Sequence, residues 1–182
     1  MTGNETVQAL SLGALRDEDA PILHAWRSDP DIRDGALAYP FPTSVEAERE
    51  WIRVFSPRGT PQDLCLAVRD GNELLGYCQL RSIDWVAGVA EFGIVVGAAH
   101  ARGKGIGSRA LGMTIDYASR QLRLRRLWLR VVETNTAAIR MYESAGFEPE
   151  GRLLRHVHRN GRLLDILLYG CELPTSAPPC GA

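Results

Sequence analysis

The chain has 182 residues, 45% hydrophobic and 24% charged, with a formal net charge of −1. That is enough for one domain with a real hydrophobic core, and too neutral to draw nucleic acid to the whole molecule. No N-terminal apolar segment or long apolar run suggests a leader or a membrane span, and Cys65, Cys78, Cys171 and Cys180 follow no metal-binding spacing. A cytoplasmic, reduced protein without a metal is expected. Residues 1–6 and 174–182 are expected to be disordered around a domain over 7–173.

Taken in chain order, residues 7–16 alternate as a first strand. Asp17 is placed to cap a helix running to Ser28, which Asp29-Pro30 ends. Thr43-Ser44-Val45-Glu46 reads as a capping box for a helix turning Ala47, Trp51, Ile52 and Phe55 inward. Strands 63–69 and 74–83 form a hairpin across Asp70-Gly71-Asn72. A strand over 89–96, a helix over 105–122, a strand over 127–132 and a helix over 136–145 follow. A final hairpin pairs 150–159 with 162–172 across Asn160-Gly161, the strongest turn signal in the chain. This order predicts an α/β protein with a single mixed, mostly antiparallel sheet and helices on both faces. Arg120, Arg123, Arg125, Arg126 and Arg130 crowd the region after the third of these helices. Without interleaved aromatics they read as a solvated face and helix-end cations rather than an RNA surface.

The chemistry concentrates after the apolar run 92–96. Arg102-Gly103-Lys104-Gly105-Ile106-Gly107 places three glycines on alternate residues between two cations, at the start of a helix. Such a loop can turn its N–H groups toward one anion, most often a phosphate. A Walker loop fails, because Ala98 stands at its first glycine and Gly105 where the hydroxyl belongs. Gly105-x-Gly107-x-x-Ala110 satisfies a dinucleotide fingerprint, but it lies too far from the strand end and in a single strand–helix–strand unit.

The pattern [Q/R]-x-x-G-x-[G/A], filled by Arg102, Gly105 and Gly107, resembles the acetyl-CoA pyrophosphate loop of the GNAT superfamily of N-acetyltransferases. A second block, LRVVETNTAAIRMYESAGF (129–147), is similar to that family's next strand, helix and Gly-Phe turn. The segment 12–31 and the hairpin 150–169 resemble the branch holding ribosomal-protein, polyamine and aminoglycoside acetyltransferases. The resemblance spans about residues 8–173. It implies acetyl-CoA as cofactor and direct transfer to an amine in a ternary complex.

By that resemblance Arg102, Gly103, Lys104, Gly105, Ile106, Gly107 and Ser108 hold the pyrophosphate. The backbone of Ile94, Val95 and Val96 pairs with the pantetheine arm, one N–H facing the oxyanion. Asn135 is a helix cap, a pantetheine contact, or both. Tyr142 stands where the family places the acid that protonates the departing thiolate; on composition alone it reads as a core tyrosine. Arg130 occupies a strand position where some relatives carry a basic glutamate. Glu91 is then a candidate base through water, or a solvated strand end.

The acceptor side is less defined. In this branch the first two helices line it, and here they carry Trp26, Tyr39, Phe41 and Trp51 beside Asp17, Glu18, Asp19, Asp29, Asp31, Asp34, Glu46, Glu48 and Glu50. Such a rim favours a cationic amine, although many of these acids also complement helix dipoles. Trp26 and Asp31 are the substrate candidates, Asp31 because it lies in the loop after the first helix. The hairpin turn predicts His158 opposite Leu163 and His156 opposite Asp165, a pair that orients an acceptor or stands exposed. The acceptors in order are a small cationic amine (polyamine, amino sugar or amino acid) and a protein N-terminal amine. A non-catalytic acyl-CoA-binding module is the competing class. Monomer and homodimer both stay open.

Overall fold

The computed structural model describes residues 9–35, 37, 41–55 and 62–174. The ends expected to be disordered lie outside these residues, Pro174 excepted, as do Tyr39 and Cys180. Among the described residues seven strands form one sheet: β1 (Leu10–Gly13), β2 (Leu64–Asp70), β3 (Glu73–Asp84), β4 (Val89–Val96), β5 (Arg126–Val132), β6 (Glu148–Arg159) and β7 (Arg162–Glu172). Their order is β1-β2-β3-β4-β5-β7-β6, and only the β4–β5 pair is parallel. The helices are α1 (Ala20–Ser28), α2 (Pro30–Gly35), α3 (Val45–Val54), α4 (Ile106–Arg120) and α5 (Thr136–Ser144). The expected mixed sheet, covered on both faces, is the fold observed.

Burial on both faces explains why β2 is apolar from Leu64 to Val68. Leu64, Leu66 and Val68 enter the larger core with Leu80, Phe92, Leu111, Leu127 and Leu129. Cys65 and Ala67 point the other way, into a smaller core with Leu23, Ile52, Leu74 and Tyr77. Ile52 is the only apolar side chain of α3 that is fully buried. Its burial contributes about 1.5–3 kcal/mol, so α3 is lightly docked and depends on polar contacts as well.

One irregularity opens the sheet between β4 and β5. β4 pairs with β5 only at Val89, Ala90 and Glu91. Beyond Glu91, β4 stays bonded to β3 as far as Gly76↔Val96, whereas β5 stays bonded to β7 as far as Val132↔Ile166. The N–H groups of Gly97 and Ala98 both donate to the Leu75 carbonyl, at 3.0 and 3.1 Å, holding the end of β4 on β3. The two strands therefore splay, and residues 92–96 keep an open edge toward β5. Backbone groups on such an edge need a partner.

Several sequence expectations need adjusting. The first strand is shorter than 7–16, and a 3-10 turn (Asp17–Asp19) precedes α1 in place of a cap by Asp17. The first helix does end at Ser28, with Asp29 extended, but no loop follows: Pro30 opens the short α2, consistent with its pre-set φ at a helix start. The cap of α3 is Ser44, whose hydroxyl accepts from the Ala47 N–H at 3.1 Å, while Thr43 donates to Glu48 at 2.8 Å. At the final turn Asn160 and Gly161 have φ of 46° and 77°, the twist that a two-residue hairpin requires. No helix among the described residues is long and apolar enough to cross a membrane.

Candidate active site

A cavity of about 570 Å³ opens in the splay between β4 and β5. Residues from both faces of β4 line it, Phe92, Ile94 and Val96 from one and Gly93 and Val95 from the other. It therefore runs through the sheet, from the glycine loop and α5 on one side to α1, α2 and α3 on the other.

On the loop side Gly103 and Gly105 have φ of +71° and +76°, and a Cβ on either would meet nothing within 4 Å. The glycines serve the backbone turn and leave open space above it. Gly107 differs: a Cβ there would approach the Met141 sulfur to 2.9 Å, so its role is close packing of α4 on α5. The first helical bond of α4 runs from the Arg109 N–H to the Gly105 carbonyl, and no side chain caps the helix. The N–H groups of Ile106, Gly107 and Ser108 thus lack helical partners, and all three residues line the cavity. An uncapped helix start beneath an open glycine turn suits a pyrophosphate, and the open edge over Ile94, Val95 and Val96 suits an extended arm. The residues present fit coenzyme A.

The two cations of the loop differ from each other, for Arg102 lines the cavity and Lys104 does not. Arg102 donates to the Val96 and Gly97 carbonyls, at 3.1 and 3.0 Å, and lies 3.5 Å from Asp29. Its guanidinium ties the loop to the end of β4. Lys104 is exposed on the outer turn and is not among the residues lining the cavity.

Tyr142 is 5% exposed, with its ring packed edge-on to Phe92 and tilted against Phe147. It is a core residue and a cavity-lining residue at once. Among the described residues its hydroxyl has no hydrogen-bond partner, and burial pushes its pKa well above the usual phenol range. The phenol therefore stays protonated. Asn135 also lines the cavity. Its oxygen accepts from the Ala138 N–H at 3.2 Å, which makes it the cap of α5.

The acceptor side corrects four candidates. Glu91 is not a solvated strand end: it is 5% exposed and lies behind the cavity wall. Arg81 reaches one oxygen at 2.9 Å, and Arg130 reaches both at 2.8 and 3.3 Å. It is Arg81 and Arg130 that line the cavity. Trp26 does not line it either, since its indole fills the slot beside Gly97, where a Cβ would lie 2.0 Å from the ring. His156 is exposed, and a bulge between Leu153 and Val157 removes the expected pairing with Asp165. Asp165 instead accepts from the Arg155 N–H at 2.6 Å and pairs with Arg152, away from the cavity. His158 does face Leu163.

The acidic rim is mostly spoken for. Asp17 pairs with Arg53, Asp19 with the buried Arg69, Asp29 with Arg102, and Glu46 with Arg49. Glu48, 1% exposed, lies 3.0 Å from Arg27, which stacks 4.5 Å above the Trp51 ring. Among the described residues Asp31 is the rim acid that lines the cavity. It sits in the first turn of α2 and not in a loop. Sequence reasoning missed Arg27, Tyr77, Gln79 and Arg81. The alternation Tyr77, Gln79, Arg81 along β3 was the available signal, since it puts polar atoms on the face toward α1 and α3.

A sequence model of the Acetyltransferase (GNAT) domain family matches residues 9–148. The chain is 36% identical over 157 residues to spermidine N(1)-acetyltransferase of Escherichia coli K12, spanning 86% of this chain and 82% of that one. It is 27% identical over 158 residues to spermidine N(1)-acetyltransferase of Vibrio cholerae, spanning 86% and 89%. The solved spermidine N-acetyltransferase of Vibrio cholerae in complex with CoA and spermine matches with a TM-score of 0.82 at 26% identity, over 90% of this chain and 95% of that one. With the splayed strands, the uncapped glycine turn and Tyr142 in one cavity, the chain belongs to the GNAT acetyltransferases and is an acetyl-CoA-dependent N-acetyltransferase.

Proposed function

We propose that the enzyme acetylates a primary amine of a small polycation, a polyamine such as spermidine, in the cytoplasm. The observation that carries this reading is Asp31, exposed and cavity-lining on the side opposite the glycine loop. Relatives that act on spermidine support it. The uncapped N–H groups of Ile106, Gly107 and Ser108 hold the pyrophosphate, and the open edge of β4 holds the pantetheine arm. An N–H on that edge stabilises negative charge on the thioester oxygen as it develops. Tyr142 gives its proton to the departing sulfur. Asp31 receives a distal ammonium of the acceptor, and Asn135 steadies the wall between the two halves.

The test is acetyl transfer from acetyl-CoA across an amine panel: spermidine, spermine, an amino sugar, an amino acid and a peptide with one free α-amine. A kcat/KM for the polyamines at least tenfold above the rest supports the reading. Preference for the peptide makes a protein N-terminus the acceptor instead.

A further inference from the structure

Resting on the acceptor half of the cavity as just assigned, we propose that Arg81 and Arg130 deprotonate the acceptor electrostatically. They hold a fixed positive charge where the reacting nitrogen must sit, which favours the free amine over the ammonium. The proton leaves to water before attack, and no side-chain base takes it.

The charges facing this region can be followed element by element. From β3 come Arg81 and Tyr77, and from β5 comes Arg130. Burial pushes the Tyr77 phenol up to about 12, so it is neutral. From β4 comes Glu91, buried and shared between the two guanidiniums. From α1 and α3 come Arg27 and Glu48, which pair with each other. From α5 comes Tyr142, protonated, and from α2 comes Asp31, at the exposed end. On the loop side Arg102 is matched by Asp29. One carboxylate thus answers two guanidiniums where the strands part, and the unmatched carboxylate stands at the mouth. A polyamine set in that gradient leaves its distal cation at Asp31 and brings its reacting nitrogen to the arginines.

Guanidinium stays charged over the whole working pH range, so the bias is permanent. A like charge within several ångströms, at the effective dielectric of a partly buried site, lowers an ammonium's pKa by about one to two units. Free energy for placing the ammonium's carrier there comes from the remote contact at Asp31 and from the rest of the chain. The acceptor nitrogen then attacks the thioester carbon with its own lone pair and the C–N bond forms. The C–S bond breaks as Tyr142 gives its proton to the sulfur, and the second proton of the nitrogen leaves to water, from which Tyr142 is reprotonated.

The experiment is the pH dependence of the single-turnover rate at saturating acetyl-CoA, with spermidine and with aminoacetonitrile, a weakly basic primary amine. In the wild type the acid limb should lie below each amine's own solution pKa and should differ between the two amines. Arg130→Met should move the spermidine limb up by about one pH unit, a loss of roughly tenfold at pH 7, and change the aminoacetonitrile rate at pH 7 little. Arg81→Met carries the same expectation, and Arg130→Lys should keep the limb at its wild-type position. A limb at one pH for both amines means a protein group is titrating and overturns the proposal. So does a limb unmoved in the Arg→Met variants, or one moved equally by Arg130→Lys. If spermidine is not acetylated, the same series run on a strongly basic amine that is accepted separates failure of the polyamine reading from failure of this one.

Discussion

The side-chain amide of Asn135 donates to the Gly35 carbonyl at 2.9 Å while its oxygen accepts from the Ala138 N–H at 3.2 Å. One residue therefore caps α5 and ties it to the end of α2, 100 positions earlier in the chain. Because α2 carries Asp31 and Ile32 into the cavity, the wall of the acceptor half is anchored on the cofactor half.

Asn135→Ala removes both bonds. The lost cap costs about 1 kcal/mol, or a Tm lower by roughly 2–4 °C for a domain of this size. Freed from its tether, α2 should also raise KM for the acceptor several-fold. Asn135→Asp keeps an oxygen for the cap and loses the donor to Gly35. It should recover most of the Tm while leaving KM high, and thermal melts with steady-state kinetics on both variants check this. Recovery of KM in the Asp variant would show that the tether does not shape the acceptor wall.

Gly105→Asp should lower acetyl-CoA affinity by at least a hundredfold, because it puts a carboxylate over the turn where the pyrophosphate must lie. At φ +76° asparagine and aspartate tolerate the backbone almost equally. Gly105→Asn should therefore lose much less, and calorimetric titration of the two variants separates charge from strain. Equal affinities would mean that the turn does not face the phosphates.

The contrast between these two sites explains what was legible in the sequence. The glycine turn before α4, the succession of strands and helices along the chain and the Asn160-Gly161 turn are local, fixed by neighbouring residues, and they were readable. Capping by Asn135 was readable for the same reason, whereas its bond to Gly35 was not, since nothing in the sequence places α2 beside α5. Glu91 stood open as a base or a solvated strand end, and Glu48 as one acid of the rim, because their arginine partners sit on other elements. The failed His156–Asp165 pairing has a still simpler cause. Arg155 adopts φ of 47° inside a bulge, and register counted back from the turn is lost beyond it.

Tyr142→Phe retains the packing of the ring on Phe92 and Phe147 and removes the proton. In single turnovers the rate should fall about 10²–10⁴-fold, with acetyl-CoA affinity nearly unchanged. Burial holds the phenol above its ordinary pKa of about 10, so in the wild type no loss of the acid should appear on the alkaline side up to about pH 10. An unchanged rate in the Phe variant leaves Tyr142 with its packing role alone.

Asp165 gives a pH effect on stability away from the cavity. The Arg155 N–H, then Arg152, hold its carboxyl below the usual carboxylate range. The stabilisation is thus full above an unfolded pKa of about 3.9 and is lost as pH falls through the lower folded value. Asp165→Asn should melt below the wild type at pH 6, and the gap should narrow on acidification from about pH 4. A gap of constant size down to pH 2 would mean that the carboxylate contributes nothing as a charge.

The proposed polyamine reading turns on Asp31. It is exposed and lines the cavity, while Asp17, Asp19, Asp29, Glu46 and Glu48 of the same rim are engaged with arginines. An exposed carboxylate acts through water, so its pull on a cation should be screened at 0.15 M salt, where the Debye length is about 8 Å. For spermidine, kcat/KM should fall with ionic strength, and Asp31→Asn should raise KM by roughly threefold to tenfold while flattening that salt dependence. For a peptide with a single α-amine the same substitution should change little, because no second cation is present to use the carboxylate. Since Asp31 lies in the first turn of α2, the variant also loses a favourable dipole contact of about 0.3–1 kcal/mol. That loss would weaken both acceptors equally, so the ratio of the two KM effects isolates the charge. A ratio near one, with salt dependence intact, would remove Asp31 from acceptor binding and with it the main structural support for a polyamine.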